Sequence, residues 1–461
     1  MIFNRVIPGI LLTLCGSCAT QKPTQDSLKE NVQYPTDKIV YSGEIVFKEN
    51  SELDKEVIIM PTALIRTWQG SKVIFKKKVT ILGECQVFDK GINLQFEPGT
   101  IDQINVSWFG AKGYDTLDDT ESFQQAIRIA CNSFNTMTIF VPVGRYFISK
   151  TLLVRNDEGQ IKPINWLGGG MSSSGIQGAS LSWTGTPASA MFKFENLNSF
   201  SIKQLDFTAE PNSRLLSNLE FRPFINQVMI RDCSFTGTAG PGSCNINLND
   251  GGGDQVSEVH IENCLFNGIA PEEPIKSYSA IKGGMANTKN FYIENCTFSA
   301  YAESAVNINI SDVVKIEGCT FANNAIDISC MLCGIYAVSN YSEHSLAFFN
   351  GGSSSNIAFS TFINNVFIGG PGDGYVIRDG SGSLVLVNND FGGGDQADDE
   401  NRVRWEGRAY NYIYSVGNFF KNAGIGNFPF YNRTGQVIPD NVFSVNDLGG
   451  KNGSGKVPIK K

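Results

Sequence analysis

Apolar and polar residues alternate in a repeated pattern from about residue 200 onward. In the clearest copies, apolar residues take alternate positions, two polar residues follow, and a Cys and then a Phe come next. These copies are residues 228–235, 259–266, 291–298 and 314–321. Weaker copies end at Phe207, Phe367, Phe391, Phe420 and Phe443. An apolar residue at every second position is typical of a half-buried strand, so each copy predicts a short strand, a turn and a second strand.

The spacing of these motifs predicts a repeat architecture. The intervals between successive Phe residues are 28, 31, 32, 23, 46, 24, 29 and 23 residues. They indicate a basic coil of about 23 residues with loop insertions, and one weakly marked coil inside the longest interval. Such a coil holds three short strands with their turns, and coils stacked in parallel bury one continuous core. The sequence therefore predicts an all-β fold, a single-stranded right-handed parallel β-helix.

Equivalent residues of stacked coils form ladders along the axis of such a fold. The Phe residues form an interior ladder. Two positions earlier, the ladder reads Cys233, Cys264, Cys296, Cys319, Asn365, Asn389, Asn418 and Asn441. A row along an axis is not a tetrahedral metal site, and stacked parallel side chains meet disulfide geometry poorly, so we expect buried thiols. We expect core packing for Cys330 and Cys333 as well.

One short helix is predicted ahead of the repeats. Asp118, with Glu121 three residues later, resembles a capping box at a helix start. Phe123, Ile127 and Ala130 then lie on one helical face. We expect this N-terminal capping helix to close the open end of the coil stack and to cover its apolar layer.

The first residues predict export. Arg5 precedes an apolar stretch over 6–14, and small residues precede Cys18, as at a bacterial lipoprotein processing site; an ordinary cleaved signal peptide is the alternative. The predicted organisation is a lipoprotein-type signal peptide over 1–18, a tether over 19–39, an N-terminal β segment over 40–104, the β-helix domain over 105–445 and a flexible tail over 446–461. We expect an exported protein, lipid-anchored through Cys18 to the bacterial outer membrane and facing the periplasm or the cell surface.

Residues 104–150 resemble the N-terminal segment of a known superfamily. The resemblance is carried by residues 106–113, which read Val-Ser-Trp-Phe-Gly-Ala-Lys-Gly, and by 117–121, 123–127 and 138–148. These stretches are similar to the pectate-lyase and polygalacturonase-related right-handed parallel β-helix superfamily. The resemblance implies the fold and a polysaccharide ligand. It leaves the reaction open, because that superfamily includes lyases, hydrolases, epimerases and phage tailspikes.

Composition and charge limit the classes of molecule that the protein is expected to bind. Hydrophobic residues make up 41% of the chain, which excludes disorder, and 48 Gly with 18% charged residues suit many turns between short strands. The net charge of −8 disfavours a general nucleic-acid or anionic-membrane surface. We expect a monomer with a polysaccharide partner, no nucleic acid, membrane contact only through the lipid anchor, and a local basic cluster wherever an anionic substrate binds.

A second strand recurs after each Phe and predicts an outward row of polar residues. Its aliphatic residues point inward, so the residue after each of them points outward. The predicted row reads Asn247, Lys282, Asn307, Asp327, Arg378 and Arg404, with an unassigned coil between Asp327 and Arg378. The resemblance implies that this strand lines a substrate groove, as in pectate lyases and polygalacturonases. A solvated polar surface is the alternative.

β-Elimination on a uronate is one reaction that suits this row. A cation neutralises the carboxylate so that a base can remove the adjacent proton. Arg378 and Arg404 are the candidate cations and Lys282 the candidate base, with Asn247 and Asn307 as substrate-binding residues. We therefore predict a polysaccharide lyase that acts on an anionic, uronate-containing or sulfated polysaccharide.

Two alternatives stay open beside the lyase. A glycoside hydrolase of the polygalacturonase type needs two carboxylates, for which Asp327 with Asp373 or Glu303 are the candidates. The paired Asp-Asp and Gly-His-Gly motifs of polygalacturonases are missing, as are a clear calcium cluster and the Arg-containing motif of pectate lyases. A non-catalytic surface glycan-binding protein would use the same groove without a base.

Further candidates lie on the strand that precedes each Cys. His260 and Tyr292 occupy equivalent outward positions with Lys315 next, and a His and Tyr pair can serve as base and acid in elimination. We expect that strand to lie away from the groove. A second outward ladder there contains Arg231, Glu262, Glu294 and Glu317, which suggests a solvated surface or, alternatively, a cation site.

Two features near the C-terminus complete the candidates. Tyr410, Tyr412 and Tyr414 alternate along one strand, where they either stack on sugar rings or cover a neighbouring loop. The loop 392–400 offers Asp395, Asp398, Asp399 and Glu400 as calcium ligands, without the register of an EF-hand, and a solvated turn is the alternative. No metal site and no other cofactor are predicted.

Overall fold

The computed structural model describes most of the chain between Lys38 and Lys456. The described residues are 38–133, 136–155, 163–172, 178–186, 188–195, 197–211, 213–222, 225–248, 256–269, 276–283, 288–351, 359–369, 375–380, 383–392, 402–405, 412–420, 430–431, 442–445, 447–449 and 455–456. The predicted signal peptide and tether lie outside them.

Three parallel sheets run along a stack of coils, and a typical coil adds one strand to each sheet in the order A, B, C. Sheet A contains the strands that precede the Cys and Asn ladder. Its strands are Gln103–Asn105, Met137–Val141, Ile164–Gly168, Ser199–Lys203, Ile225–Arg231, Val256–Glu262, Thr288–Glu294, the second parts of Ser304–Glu317 and Ile326–Val338, Ser360–Ile363, Leu384–Val387, Ile413–Val416 and Val442–Val445.

Sheet B contains the strands of the Phe ladder. They are Gly144–Ile148, Ala179–Trp183, Asp206–Ala209, Ser234–Thr236, Leu265–Asn267, Thr297–Ser299, Thr320–Ala322, Tyr341–Glu343, Val366–Ile368, Asp390–Phe391, Phe419–Phe420 and Leu448–Gly449, with Gly455–Lys456 added antiparallel at the end. The parallel pairing of one coil on the next throughout this series is the geometry of a parallel β-helix.

Sheet C contains the strands on which the polar row was predicted. They are Leu152–Arg155, Ser189–Glu195, Leu215–Phe221, Cys244–Leu248, Ser279–Gly283, the first parts of Ser304–Glu317 and Ile326–Val338, Ala347–Gly351, Tyr375–Gly380, Arg402–Trp405 and Phe430–Tyr431. The two long strands continue from sheet C into sheet A without a loop.

The N-terminal β segment also consists of short parallel strands. One set contains Lys38–Tyr41, Glu56–Ile59 and Val79–Ile81, a second contains Glu44–Phe47 and Leu64–Thr67, and a third contains Ser51–Leu53, Val73–Phe75 and Leu94–Phe96. Alternate residues of several of these strands are buried, and they belong to the same apolar core as the coils that follow.

Two helices follow the N-terminal segment, a 3-10 helix over Val106–Phe109 and an α-helix, α1, over Thr120–Asn132. The predicted apolar face of α1 is confirmed, because Phe123, Ile127 and Ala130 are buried. The predicted capping box is wrong: Asp119 is the N-cap and makes no side-chain cap bond, while the Asp118 carboxylate accepts a hydrogen bond from the Thr120 amide. The role of α1 as a cap stays a prediction.

The turn from sheet A to sheet B explains the two polar residues of the motif. The second of them adopts a left-handed backbone conformation, as Asn263 and Asn295 do with φ of 54°. Asn and Asp tolerate this region better than other residues with a side chain. Because the turn is so short, the Ile before it and the Cys after it both point inward.

The interior Phe ladder is confirmed over most of its length. Rings of Phe207, Phe235, Phe266, Phe298 and Phe321 stack with centroid separations between 4.8 and 5.1 Å. The weakly marked coil is the strand Tyr341–Glu343, in which Ser342 pairs with Phe321 on one side and Phe367 on the other. Phe348 from sheet C lies between those two rings, at centroid distances of 6.3 and 6.1 Å. A Phe from another sheet thus fills part of the space left by Ser342.

The ladder of Cys and Asn is also confirmed, with a changed end. Cys233, Cys264, Cys296 and Cys319 are buried free thiols. Asn340 of the weakly marked coil joins the Asn residues, and its amide donates to the Asn365 carboxamide oxygen at 2.9 Å. The last position belongs to Asp447, which accepts from the Asn418 amide nitrogen of the backbone at 2.7 Å. The assignment of Phe443 to the Phe ladder is wrong, because Phe443 pairs with Tyr414 in sheet A and is 50% exposed. Asn441 lies outside the described residues.

The expectation for Cys330 and Cys333 is corrected as well. Both side chains are buried as predicted, but they form a disulfide. They lie in the strand Ile326–Val338, where the chain passes from sheet C to sheet A. Their Cα atoms are 6.2 Å apart, within the range that a disulfide spans.

No helix in the described part of the chain is both long and apolar enough to cross a membrane.

Candidate functional site

Strand register defines one continuous outward row on sheet C. Each member pairs directly with the next, so the row has one residue per coil at a spacing of about 4.8 Å. From the N-terminal end it reads Leu153, Lys193, Glu220, Asn247, Lys282, Asn307, Ser329, Asn350 and Arg378. The predicted neighbours Asn247, Lys282 and Asn307 are consecutive members of it.

Asp327 does not belong to this row. The structure pairs Val306 with Ile328, not with Ile326, so Ser329 takes the outward position next to Asn307. The Asp327 side chain is fully buried. It lies at the corner where the chain enters sheet C, where two successive residues point inward. The prediction of Asp327 as a groove residue is therefore wrong.

The buried Asp327 carboxylate has hydroxyl and amide partners. Ser342 and Ser345 donate through their hydroxyls, and the Asn324 carboxamide donates at 3.0 Å. Burial raises the pKa of Asp327 to about 7, and the three donors lower it only in part. No cation partner of this carboxylate occurs among the described residues. Asp327 is an interior residue, which removes the central carboxylate of the predicted hydrolase.

The candidate base Lys282 and the candidate cations Arg378 and Arg404 lie on separate coils. Asn307, Ser329 and Asn350 separate Lys282 from Arg378 in the row. Four steps of about 4.8 Å place the two positions roughly 19 Å apart along the axis. Arg404 follows Val403, which pairs with Ile377, and is one coil farther away. This backbone distance is longer than one sugar residue, so the three positions do not lie along a single sugar.

Sequence reasoning missed five members of the row, of which Leu153 is the first. Lys193 and Glu220 precede Asn247 and form an ion pair with an Nζ–Oε1 distance of 2.7 Å. Ser329 and Asn350 fill the gap that the unassigned coil left. A usable signal for Lys193 and Glu220 exists in the alternation of residues 190–195 and 217–221, which lie before the first clear motif.

Lys282 differs from Lys193 of the same row and from Lys315 of sheet A. Lys193 pairs with Glu220, and Lys315 pairs with Glu294 and Glu317. Lys282 is half-buried, and no carboxylate among the described residues forms an ion pair with it. Its neighbours in the row are the carboxamides of Asn247 and Asn307. An ammonium in this setting can attract an anion.

Charges around Cys244 show which groups lie near Lys282. Burial raises the pKa of the Cys244 thiol to about 12. The positive charge of Lys282 lowers this pKa, whereas the negative charges of Glu220 and Glu303 raise it further. Glu303 is exposed just before sheet C begins on its coil, and it is the described carboxylate that remains from the predicted hydrolase.

His260, Tyr292 and Lys315 are adjacent on sheet A, as the sequence predicted, and sheet A is not the sheet of the polar row. The His260 ring stacks on Tyr292 with a centroid distance of 4.7 Å, and its Nε2 lies 3.1 Å from a Glu258 carboxylate oxygen. Hydrogen bonds to Glu317 and Glu294 raise the pKa of Lys315. This keeps Lys315 protonated and makes it unsuitable as a base.

The charged ladder on sheet A is confirmed by register and is internally neutralised. From one coil to the next, Arg231 pairs with Glu262, Glu262 with Glu294, and Glu294 with Glu317. Arg231 forms an ion pair with Glu262, and Lys315 lies between the other two carboxylates. These carboxylates already have cationic partners.

Tyr414 faces outward as predicted, but it does so on sheet A, where its ring stacks on Phe443 at 5.2 Å. Tyr412 is half-buried beside the same Phe443, at 5.6 Å. Neither contributes to the row on sheet C.

The remaining candidates lie outside the described residues. They are Tyr410, Asp373, the calcium candidates Asp395, Asp398, Asp399 and Glu400, and Cys18. Within the described residues, no group of three His, Cys, Asp or Glu side chains could hold a metal ion.

Comparison with known proteins agrees with this architecture. The family model "Rhamnogalacturonase A/epimerase, pectate lyase-like" matches residues 103–329. No curated protein matches the chain.

Several solved structures are similar to this chain at low sequence identity. The Agl-KA catalytic domain is 13% identical with a TM-score of 0.54, over 76% of this chain and 65% of that one. The A-module of the Azotobacter vinelandii mannuronan C-5 epimerase AlgE6 is 15% identical with a TM-score of 0.46, over 76% and 94%. ORF18 of Geobacillus virus E2 is 16% identical with a TM-score of 0.42, over 68% and 62%.

The chain thus spans less than two thirds of the length of ORF18 and of the Agl-KA domain. At 13% identity, the Agl-KA domain shows a shared fold and no more. The stacked parallel coils and the match of residues 103–329 to the pectate-lyase-like family model support a right-handed parallel β-helix fold.

Proposed function

We propose that this protein binds an anionic polysaccharide along sheet C and cleaves it by β-elimination at Lys282. The observation that carries the proposal is the half-buried ammonium of Lys282, which has carboxamide neighbours and no carboxylate partner in the described part of the chain. A protein with a net charge of −8 attracts an anionic ligand only through such a local cation.

The length of the row supports a polymeric ligand. Nine residues in register span roughly 38 Å at about 4.8 Å per coil, a spacing similar to that of sugar residues in an extended chain. The matching family model is named after a rhamnogalacturonase and an epimerase. This name supports carbohydrate chemistry and does not favour a lyase over other reactions.

The proposed reaction uses two side chains of the row. The Asn307 amide donates a hydrogen bond to the uronate carboxylate, which stabilises the negative charge that develops when the adjacent C–H bond breaks. Lys282 first releases its own proton to the solvent, and the resulting amine takes the proton of the C–H bond. The electron pair forms a carbon–carbon double bond as the glycosidic C–O bond breaks. The Lys282 ammonium then returns the proton to the leaving oxygen, so no other reactant is needed.

The experiment is an absorbance assay with polygalacturonate, alginate and chondroitin sulfate, combined with binding measurements. Elimination produces an unsaturated uronate that absorbs at about 235 nm. Lys282→Arg keeps the cation but cannot act as a base near neutral pH. We expect it to bind within about threefold of the wild type and to lose at least about 100-fold in turnover. Lys282→Met should lose both binding and turnover. Lys203→Met, on sheet A, is the matched control and should change neither.

The outcomes separate the alternatives. New reducing ends without the absorbance rise would show hydrolysis and would contradict the elimination. Binding that depends on Lys282 without any product would show a glycan-binding protein. Full turnover by Lys282→Arg would exclude Lys282 as the base.

We also propose export and lipid anchoring through Cys18, on the signal-like sequence before it. Expression in a Gram-negative host with a labelled fatty acid tests this idea. We expect label in the outer-membrane fraction for the wild type, and an unlabelled protein for Cys18→Ser. Label retained by Cys18→Ser would refute the assignment of the modified residue.

A further inference from the structure

Two outward rows of sheet A are uncharged over its last five described strands. Register places Tyr336, Thr361, Val385, Tyr414 and Phe443 in the first row. The second row lies two residues farther along each strand and consists of Val338, Ile363, Val387 and Val416. We refer to these nine residues as the uncharged strip. The first row spans roughly 19 Å at about 4.8 Å per coil.

The uncharged strip presents large apolar groups to solvent. Tyr336, Tyr414 and Phe443 are 45%, 43% and 50% exposed, and Val416 is 40% exposed. Phe359, one residue before the second of the five strands, is 59% exposed. A Phe or Tyr side chain has about 150–250 Å² to bury, so these four half-exposed rings together present roughly 400 Å². Contiguous apolar patches of more than a few hundred Å² are rare on monomeric proteins and mark interaction sites.

The earlier coils of the same sheet are charged. The boundary falls between two adjacent strands, where Lys315 pairs with Tyr336 and Glu317 pairs with Val338. Glu294 pairs with Glu317 and continues the charged ladder toward the N-terminus. The whole chain has a net charge of −8, so two copies repel each other except where they meet through an uncharged face.

The rings of the strip are arranged for packing against protein and not as a platform for sugars. Tyr414 and Phe443 stack along the direction of the coils, with 5.2 Å between their centroids and 13° between their planes. Each ring thus covers one face of the other, and the ring edges point outward. A sugar ring stacks on an open aromatic face. Ring edges beside branched aliphatic side chains instead suit the outer face of a second sheet.

We propose that the uncharged strip is an interface between two copies of this chain, related by a two-fold axis perpendicular to the coil stack. Such an interface places the same surface patch on both partners. An axis through Val385, the central residue of the first row, brings Tyr336 of each copy opposite Phe443 of the other. This inference does not depend on the proposed function, and it replaces the monomer expected from the sequence.

Charge selects the antiparallel arrangement. When the two stacks run in opposite directions, the copies overlap only at their last coils, and the earlier coils with Glu294 and Glu317 extend away from each other. A parallel arrangement would place the glutamate ladders of the two copies side by side, where like charges repel. Two strips together bury at least roughly 800 Å², which is below the 1,200–2,000 Å² of stable complexes. We therefore expect a reversible dimer that dissociates in the micromolar range.

The first experiment is sedimentation velocity on the full protein between about 1 and 100 µM. We expect the mass to rise toward twice that of one chain. Val416→Lys should weaken dimerisation at least about 10-fold, because it buries an ammonium without a partner in each copy. Leu265→Lys is the matched control, since Leu265 is 41% exposed but lies on sheet B, and it should leave dimerisation unchanged. Both variants should melt at the temperature of the monomeric wild type.

The second experiment tests the two-fold axis with a bismaleimide reagent that reaches about 10 Å, the spacing of packed sheets. Val385→Cys places a thiol at the axis in both copies and should give a cross-linked dimer. Tyr336→Cys places its two thiols roughly 19 Å apart along the stack, beyond the reach of the reagent, and should not be cross-linked. The wild type measures the background from its own cysteines.

Each alternative gives a different result. A monomer at every concentration overturns the interface. Such a monomer would have its strip covered by its own chain if Val416→Lys melts lower than the wild type, and would bind glycans there if Val416→Lys loses binding to polygalacturonate. Equal weakening of the dimer by Leu265→Lys overturns the assignment to sheet A. Cross-linking of Tyr336→Cys as efficient as that of Val385→Cys, or of neither variant, overturns the two-fold arrangement.

Discussion

Replacement of the buried Asp327 by Asn should stabilise the protein at neutral and alkaline pH. The Asp327 carboxylate is fully buried and accepts hydrogen bonds only from neutral groups in the described residues, namely Asn324, Ser342 and Ser345. Burial raises its pKa from 3.8 to about 7. An Asn at this position has a similar size and shape and cannot ionise.

The raised pKa defines the pH window. Below pH 3.8 the group is protonated in the folded and the unfolded states, so its pKa difference has no effect on stability. Between that pH and about 7, the unfolded state releases the proton while the folded state retains it. The free energy of unfolding therefore falls as the pH rises through this window. At 1.36 kcal/mol per pKa unit, the full cost above the window is about 4 kcal/mol.

Thermal unfolding followed by circular dichroism at pH 4, 6 and 8 is the assay. At about 2.1 cal/mol/K per residue, unfolding of some 400 residues has an entropy of roughly 0.85 kcal/mol/K, so 4 kcal/mol corresponds to a shift of about 5 °C. We expect Asp327→Asn to match the wild type near pH 4 and to melt up to about 5 °C higher at pH 8. Asp312→Asn, at an exposed position, is the control and should show no pH-dependent difference.

Two results would refute this reasoning. A variant that melts lower than the wild type at pH 8 would mean that the ionised carboxylate stabilises the interior. A constant difference between the two proteins at all three pH values would mean that Asp327 does not titrate in this range.

Two further predictions concern the coil stack and are measured by urea unfolding. Asn389→Ala removes an amide that donates to the Phe362 carbonyl at 2.9 Å and an oxygen that accepts from the Asn365 backbone amide at 2.9 Å, so we expect a loss of about 3 kcal/mol or more. Cys296→Ala, in the equivalent position of an earlier coil, should cost only about 1 kcal/mol, and equal losses would contradict the difference between the two ladders. Gly168→Ala should destabilise by about 3 kcal/mol or prevent folding, because the added Cβ would lie 1.9 Å from the Gln204 carbonyl oxygen; wild-type stability would contradict the close approach.

The spacing of one motif was sufficient to predict the β-helix. Phe235, Phe266, Phe298 and Phe321 recur with Cys two positions before each, and only stacked parallel coils place all of them in one interior. Alternation also predicted that Asn247, Lys282 and Asn307 are adjacent outward residues. These features depend on local pattern, and the pattern is strict where the turns between strands are short.

Register across longer turns could not be predicted from the pattern. Ile326 and Ile328 are both apolar and two positions apart, so alternation allows either of them to pair with Val306. Only the length and path of the turn from sheet B select Ile328. Asp327 is buried because the alternation of inward and outward residues fails at the corner where the chain enters sheet C. The hydroxyl of Ser342 donates a hydrogen bond to its carboxylate there.

The sequence by itself determined the class of fold, the composition of the interior ladders and the central part of the outward row. The tertiary structure decided which charges have partners: Lys193 with Glu220, Lys315 between two glutamates, and Lys282 with none among the described residues. It also placed a polar cavity, lined by α1 and by Leu153, beside the start of the row on sheet C. These distinctions depend on distances between coils that are far apart in sequence, and a pattern read along one strand contains no information about them.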